Sequence, residues 1–357
     1  MGWTVLDVLN WTTSHFKRHG VPTPRLDAEV LLADTLAMDR VRLYTSFDKP
    51  LTSPELTRFR ARVKARCARK PVAYITGRKE FYALEFEVGP GCLIPRPDTE
   101  VLVEEAVTLL GRRKRKPQAR HLPWRPNLEQ EEAGEAIGSE EGDGANPEDD
   151  PAARRGGPAQ EESGSDGSAD AADTTTAEPP LVLDLCTGAG IIPICLARET
   201  PCRVIGVDIA PRAVQYAKKN VARYHLESQV AIVEGDLLQP VPRRFRGRFA
   251  LVTANPPYLT PGMLDQAAPE INRYEPRTAL LGGPDGLEVC RRIVAEAPAW
   301  MAPGGWLLIE IGTTAQARSV EEGMFRAGLV DCYTRNDLSG QVRVVVGRKP
   351  GSSSETA

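Results

Sequence analysis

Apolar residues recur every three or four positions over the first seventy residues of the chain. This spacing predicts amphipathic helices over residues 5–16 and 24–36, the first of them ended by Gly20. A third helix is predicted to begin at residues 52–55, where Thr-Ser-Pro-Glu supplies a cap, an early proline and an acid in the first turn. Residues 1–70 are therefore predicted to form a small all-α domain.

The predicted third helix has a strongly basic face. Its cations are Arg58, Arg60, Arg62, Lys64, Arg66, Arg69 and Lys70. A run of charge along one side of a helix is usually a solvated exterior, and we favour that interpretation. A surface that docks a protein, a nucleic acid or the ribosome is the alternative.

Strand-like patterns appear further along the chain. Alternation over residues 80–88 predicts a hairpin within a linking segment, residues 71–95, and a helical pattern returns over 101–110. Short apolar runs bounded by turn residues then recur at 181–185, 204–208, 230–236, 249–252, 306–311 and 342–346. Runs of this kind are typical of a parallel sheet that is covered by helices on both faces. Residues 96–110 and 180–350 are predicted to form this α/β domain.

The composition changes sharply between the two parts of that domain. Residues 111–179 begin with the basic run 112–116 and continue as an acidic tract of Gly, Ser, Ala, Pro, Glu and Asp with few large apolar residues. Such a tract cannot bury enough surface to offset its ordering entropy, so we predict a disordered, low-complexity insertion. The basic run resembles a localisation patch, but a solvated run of charge is the favoured interpretation.

The overall composition excludes several classes of protein. The chain has 357 residues, 41% of them hydrophobic, and a formal net charge of −3, which argues against a general nucleic-acid binder. Seven scattered cysteines without a C-x-x-C pair predict neither a disulfide framework nor a zinc site. His15 and His19 are four apart, but no third ligand is evident near them, so no metal is expected. No apolar run reaches membrane-spanning length, and a cytoplasmic location without membrane contact is predicted.

The most informative chemistry lies where the apolar runs end. The run 181–185 is followed by Cys186, Thr187, Gly188, Ala189 and Gly190. A strand, a glycine loop and a helix in this order let the backbone approach a ligand closely. The next two runs end in Asp208, which is suited to ribose hydroxyls, and Asp236, which could accept a hydrogen bond from an adenine amino group.

The run 249–252 leads into Asn255, Pro256, Pro257 and Tyr258. The Asn255 amide oxygen and a proline carbonyl could accept the two hydrogens of a planar NH2 group. Proline has no N–H that would compete for these acceptors, and Tyr258 offers a flat face to a planar substrate. A proline-rich turn that merely ends a strand is the structural alternative.

These segments together resemble the class I methyltransferases that use S-adenosylmethionine. Residues 71–77, 94–100, 274–280 and 282–287 further resemble one branch, the HemK/PrmC-type N5-glutamine methyltransferases of peptide chain release factors. The resemblance covers residues 1–110 and 180–348 in the family's order. It implies a seven-stranded, doubly wound, Rossmann-like sheet whose last strand is antiparallel, and an N-terminal helical domain that contacts the release factor.

The resemblance also implies roles for single residues. S-adenosylmethionine would lie on residues 186–190, Asp208, Asp236 and Leu237, next to Asn255. Residues 255–258 would hold the side-chain amide of the glutamine in the GGQ motif of a release factor. Arg96, Asp98 and Glu100 would lie near the mouth of the site, with no metal and no direct contact to nucleic acid.

One residue departs from the family pattern, and two other functions stay open. Cys186 stands where the family usually has glycine, and a cysteine is tolerable there if its φ is negative. N6-adenine methylation of DNA or RNA presents the same NH2 geometry after base flipping, but no target-recognition domain is visible. A cofactor-binding adaptor without activity is the remaining alternative.

Overall fold

The computed structural model describes residues 2–111 and 178–351. The basic run 112–116 and nearly all of the predicted insertion 111–179 lie outside the described residues. No helix within the two described ranges combines the length and apolarity needed to cross a bilayer.

The N-terminal region forms the predicted helical domain. Its helices are α1 (Val5–Arg18), α2 (Pro24–Thr35), α3 (Arg40–Tyr44), α4 (Ser53–Cys67) and α5 (Val72–Thr76). Thr4 and Thr52 each form a capping box, with Asp7 and Glu55 respectively, which explains where α1 and α4 begin. Apolar side chains of α1, α2 and α4 meet in one core.

A two-stranded hairpin follows the helical domain, as the alternation predicts. Strands β1 (Arg78–Phe81) and β2 (Leu84–Glu87) pair antiparallel. Tyr82 and Ala83 connect them, and both have positive φ, at 51° and 56°. Positive φ at both central residues matches the twist of a tight hairpin, although such turns more often use Asn and Gly.

The described part of the α/β domain contains seven strands in one sheet. The remaining elements are α6 (Glu100–Leu110), β3 (Leu181–Leu185), α7 (Ile191–Glu199), β4 (Arg203–Asp208), α8 (Pro211–Arg223), β5 (Val230–Glu234), β6 (Phe249–Ala254), α9 (Pro261–Gln266), α10 (Pro269–Tyr274), α11 (Glu288–Glu296), β7 (Met301–Glu310), α12 (Thr314–Arg326), β8 (Val330–Asn336) and β9 (Val342–Arg348). The strand order is β5-β4-β3-β6-β7-β9-β8. The last strand, β9, runs antiparallel to both of its neighbours, which confirms the expected fold class.

Each face of this sheet packs against its own set of helices. Val182 and Leu251 contribute to the core that contains α6, α7 and α8, whereas Leu183 and Val252 contribute to the core with α11 and α12. Successive residues of a strand point to opposite faces, so one apolar run fills both cores. A sheet covered on both sides leaves its strand ends as the accessible edge for a ligand.

The structure corrects the interpretation of α4 as a wholly solvated basic helix. Arg66 is buried, and its guanidinium donates from Nε to Asp27 at 2.7 Å and from Nη1 to Glu270 of α10 at 2.7 Å. Arg69 also donates to Glu270, at 2.8 Å from both Nε and Nη2. Two cations of the predicted basic face therefore join the helical domain to the α/β domain.

Candidate functional site

The carboxyl ends of β3, β4, β5 and β6 meet at one edge of the sheet. The registers place Leu185 beside Val207 and Ala254, and Asp208 beside Glu234. A cavity of about 340 Å³ opens at this edge. Its lining includes, among the predicted site residues, Arg96, Cys186, Thr187, Gly188, Ala189, Asp208, Asp236, Leu237, Asn255 and Pro257.

The loop between β3 and α7 forms one wall of the cavity. The Thr187 amide donates to the Val207 carbonyl at 3.0 Å, which ties the loop to β4. Gly188 and Gly190 have φ of 57° and 79°, a region that suits glycine. A Cβ on Gly190 would approach Ala217 to 3.2 Å, whereas one on Gly188 would meet no protein atom within 4 Å. Gly188 is thus the open side of the loop, and Gly190 seats α7 against α8.

Cys186 does not have the negative φ at which a cysteine would be tolerated without strain. Its φ is 59°, in the left-handed region where residues other than glycine are strained by roughly 1–2 kcal/mol. A glycine would adopt this φ without strain, and this chain places a cysteine there instead. Burial raises the pKa of the Cys186 thiol well above its ordinary value, so the thiol is not a nucleophile at neutral pH.

Asp208 holds the glycine loop and faces the cavity. Its Oδ2 accepts from the Gly188 amide at 2.8 Å, and its Oδ1 accepts from the Ala210 amide at 2.9 Å. Burial raises the pKa of this carboxyl, and the two amides oppose the shift. An ionised carboxylate has about four acceptor positions, so each oxygen can take a further donor from a ligand.

Asp236 and Leu237 follow β5 at the next position along the edge. Arg292 and Gln239 donate to Asp236, at 2.7 and 3.2 Å, and both bonds go to Oδ2. Leu237 is buried and has a φ of 49°, which turns the chain back beneath the cavity. Arg292 also lines the cavity, although its sequence position in α11 gave no sign of this.

Residues 255–258 follow β6 directly, and each of the first four side chains after the strand has its own contact. The Asn255 amide donates from Nδ2 to the Thr99 hydroxyl at 3.1 Å. Pro256 is buried, and Pro257 contributes to the cavity lining. The Tyr258 ring packs against Gly312, where a Cβ would lie 2.8 Å from the ring.

Two glycines pack closely against the backbone of residues 257 and 258. A Cβ on Gly282 would lie 2.4 Å from the Pro257 carbonyl oxygen, and one on Gly286 would lie 2.2 Å from the Tyr258 carbonyl oxygen. Leu259 pairs with Leu281 in a short parallel bridge, with Leu259 N–H bonded to the Leu280 carbonyl at 2.8 Å. The glycine-rich segment 282–287 is therefore a support for residues 255–258, a role that the sequence did not reveal.

The three residues expected near the site mouth are placed differently from one another. Arg96 lines the cavity and forms an ion pair with the buried Glu275, whose Oε2 also accepts from the Ile94 amide at 3.1 Å. Asp98 is outside the lining and pairs with Arg343 at 3.2 Å. Glu100 is also outside it, and its Oε1 accepts from the Tyr82 amide at 3.1 Å.

Two fully buried acids belong to strands β3 and β7, and the sequence reasoning missed both of them. Asp184 of β3 accepts from the Thr253 hydroxyl at 2.7 Å, and burial raises its pKa to about 7. Glu310 ends β7, and burial raises its pKa to about 7 as well. An acid inside an otherwise apolar strand is the signal that could have identified each of them.

Comparison with known proteins identifies the family. Residues 7–77 match the PrmC N-terminal domain, and residues 182–274 match a methyltransferase domain. The release factor glutamine methyltransferase of Geobacter sulfurreducens is 37% identical over 348 residues, which are 97% of this chain and 97% of that protein. The protein of the same name from Koribacter versatilis is 32% identical over 351 residues, 98% of this chain and 100% of that protein. The chain therefore belongs to the release factor glutamine methyltransferase family.

Proposed function

We propose that this enzyme transfers the methyl group of S-adenosylmethionine to the side-chain amide nitrogen of a glutamine in a peptide chain release factor. The observation that carries the proposal is the orientation of Asn255. Its Nδ2 is bonded to Thr99, so its Oδ1 is the atom left to accept from a substrate NH2 beside the cavity. The names of the relatives support the choice of substrate.

The cavity fits the proposed cofactor. Gly188 lines it, and a side chain there would occupy open space that a ligand can use instead. Asp208 keeps acceptor capacity for ribose hydroxyls, and Asp236 keeps Oδ1 for an adenine amino group beside Leu237. S-adenosylmethionine, when bound, supplies an electrophilic methyl group on a sulfonium.

The amide nitrogen of glutamine is a poor nucleophile because its lone pair is delocalised into the carbonyl. The chain compensates by orientation: Asn255 Oδ1 and the Pro256 carbonyl accept the two N–H bonds and aim the lone pair. The nitrogen becomes strongly acidic as it gains the methyl group and would lose one of these protons to solvent, so no strong base is required. Pro257 and Tyr258 complete the surface against which the amide lies. Positioning of this kind is worth several kcal/mol of activation free energy when the acceptors are held in place.

The mouth of the cavity would receive the release factor. Arg96 reaches the lining and is available to a backbone carbonyl of the substrate while Glu275 holds it. Asp98 and Glu100 act indirectly in this proposal, because they anchor the segment 96–100 through Arg343 and Tyr82.

Intact-mass analysis tests the proposal. A bacterial release factor incubated with the enzyme and S-adenosylmethionine should gain the mass of one methyl group, and omission of either component should abolish the gain. Methyl transfer from labelled cofactor to adenine in DNA or RNA, with an unmodified release factor, would favour the nucleic-acid alternative. Cofactor binding without transfer to either substrate would favour the adaptor.

A further inference from the structure

Three side chains that commonly bind metals lie together in the helical domain, away from the cavity at the strand ends. His15 is in the last turn of α1, and His19 follows that helix directly. The sequence alone gave no third ligand for them, and the structure supplies one: Cys67, the last residue of α4. One ligand atom from each of the three side chains lies within 4.8 Å of the other two.

This separation is close to that of a metal site. Around one tetrahedral zinc ion, with Zn–N and Zn–S bonds of about 2.0–2.1 and 2.3 Å, the ligand atoms are about 3.3–3.6 Å apart. Side-chain shifts of roughly 1 Å would therefore bring the three atoms to the required distances. Trp11 stacks on the His15 ring, with centroids 4.7 Å apart and planes at 12°, so the ring of this ligand is held in place.

The hydrogen bonding of His19 leaves one of its nitrogens available. Nδ1 of His19 lies 2.8 Å from the His15 carbonyl oxygen. A carbonyl can only accept, so Nδ1 must carry a proton, and in the neutral ring Nε2 is left with its lone pair. Histidine ligands of metals commonly donate their other ring N–H to a backbone carbonyl in this way, which fixes the tautomer.

The Cys67 thiol is partly buried against the helical core. Burial raises its pKa, and the guanidinium of Arg66 opposes the shift, so the free thiol keeps its proton at neutral pH. A metal ion must therefore displace that proton when it binds. Zn²⁺ is able to do so, because a thiol that coordinates it is deprotonated outright.

The surroundings of the cluster select the kind of ion. A cavity of about 470 Å³ is lined by all three side chains, which leaves room for a water molecule as a further ligand. No carboxylate is among the described residues that line this cavity, whereas Arg60 and Lys64 are. Hard cations such as Mg²⁺ and Ca²⁺ prefer carboxylate oxygens, and two imidazoles with one thiolate suit Zn²⁺ instead.

The ends of two helices also favour a cation here. His15 and His19 lie at the C-terminal end of α1, and Cys67 lies at the C-terminal end of α4. The C-terminus of a helix has a partial negative charge, which stabilises cations within its last turn. This contribution partly offsets the repulsion from Arg60 and Lys64.

We propose that His15, His19 and Cys67 form a site for one Zn²⁺ or similar divalent transition metal, with a fourth position open to water. The bound ion would link the C-terminal ends of α1 and α4. None of the three residues lines the cavity at the strand ends, so the inference is independent of the proposed methyl transfer.

Calorimetry on full-length, tag-free enzyme, kept reduced by a phosphine, tests the site. The wild type should bind Zn²⁺ with 1:1 stoichiometry, and an excess of Mg²⁺ should not compete. His15→Ala and His19→Ala should each weaken binding at least about tenfold. His225→Asn is the matched control, because His225 is an exposed histidine of the α/β domain and asparagine tolerates its φ of 55°. Its Zn²⁺ affinity should equal that of the wild type.

Co²⁺ tests the sulfur ligand separately. The wild type with Co²⁺ should show a thiolate charge-transfer band in the near ultraviolet. Cys67→Ser should remove this band, whereas Cys332→Ser, which changes a partly exposed cysteine of β8, should keep it.

Thermal melts verify that the variants are folded. Without metal, His19→Ala should melt close to the wild type because His19 is exposed. Zn²⁺ should raise the melting temperature of the wild type and leave that of Cys67→Ser unchanged. The absence of 1:1 binding, a Zn²⁺ affinity that His19→Ala does not change, or a charge-transfer band that survives in Cys67→Ser overturns the inference.

Discussion

The cavity wall and the contact between the two domains use charged and polar groups in opposite ways. At the domain contact, Glu270 receives three hydrogen bonds from Arg66 and Arg69, and Arg66 also reaches the buried Asp27. In the cavity wall, Asp208 has one backbone partner on each oxygen, and Asn255 has a partner on its nitrogen. At the domain contact three of the about four acceptor positions of Glu270 are filled by arginines, whereas the groups in the cavity wall keep more capacity for a ligand.

The pKa directions follow the same division. Burial raises the pKa of Glu270, but hydrogen bonds from Arg69 and Arg66 outweigh it and bring the pKa down to about 2. Asp208 has only backbone amides to oppose its burial, and its pKa stays raised. A polar group that keeps free hydrogen-bonding capacity beside a cavity indicates a functional role. A polar group whose capacity is mostly used within the protein indicates a structural role.

The largest expected effect is on stability, at the contact between the two domains. Arg66→Ala leaves Asp27 buried without its ion-pair partner and removes one link to Glu270, so it should lower the free energy of unfolding by roughly 3–5 kcal/mol. Urea titration measures this change. Arg58→Ala, on an exposed position of the same helix, should change stability by less than about 0.5 kcal/mol. Equal stability of the two variants would contradict the structural role of Arg66.

A large effect on turnover is expected for Asn255 in the cavity wall. Asn255→Ala removes the proposed acceptor for the substrate amide and should lower kcat on the order of 10²–10³, or roughly 2.7–4 kcal/mol. Cofactor affinity and the melting temperature should stay close to those of the wild type. Retention of more than about a tenth of the wild-type turnover would contradict the role of Asn255, since one aligned partner is worth more than that.

Asp208 should affect the cofactor more than the chemistry. Asp208→Ala removes a charged acceptor, so affinity for S-adenosylmethionine should fall tenfold or more, in line with roughly 1.5–3 kcal/mol. Glu234→Ala is the matched control, because Glu234 pairs with Asp208 in register but is exposed and outside the cavity lining. Calorimetry that finds the same loss in both variants would mean that the effect is not specific to Asp208.

The smallest expected effect concerns the strained residue of the cavity wall. Cys186→Gly relieves a left-handed backbone conformation but loses the packing of the thiol and gains freedom in the unfolded chain, so stability should change by less than about 1 kcal/mol. Gly188→Ala imposes the same strain, which the reduced freedom of the unfolded chain offsets only in part, so it should destabilise the enzyme by about 1 kcal/mol. Thermal melts of the two variants compare them directly. A strong destabilisation by Cys186→Gly would mean that the cysteine side chain, not the backbone, determines this position.

The sequence predicted the sheet and the cavity wall because both depend on local signals. Apolar runs that end in Asp208, Asp236 and Asn255 place these residues on one edge as soon as the strands are parallel. It did not predict β8, whose seven residues Val330–Asn336 include few apolar ones and gain their order from pairing with β9. Helical periodicity also could not tell that Arg66 faces another domain, because the partner Glu270 lies 204 positions away.

The contacts of the buried acids Asp184 and Glu310 could not be predicted from the sequence for a similar reason. Glu310 lies 52 positions from Tyr258 and Asp184 lies 69 positions from Thr253, so only the fold brings each acid to its partner. The positive φ of Cys186 is likewise imposed by the loop, and the residue type alone did not indicate it. Long-range polar contacts and imposed backbone angles are the features that a pattern along the chain does not contain.

In the proposed reaction, the unsatisfied acceptor of Asn255 directs a methyl group to a glutamine amide. Tandem mass spectrometry of a release factor treated with wild-type enzyme or with Asn255→Ala tests it most directly. The wild type should add one methyl group to a single glutamine side chain, and the variant should add almost none in the same time. A methyl group on any other residue, or equal labelling by both enzymes, would contradict it.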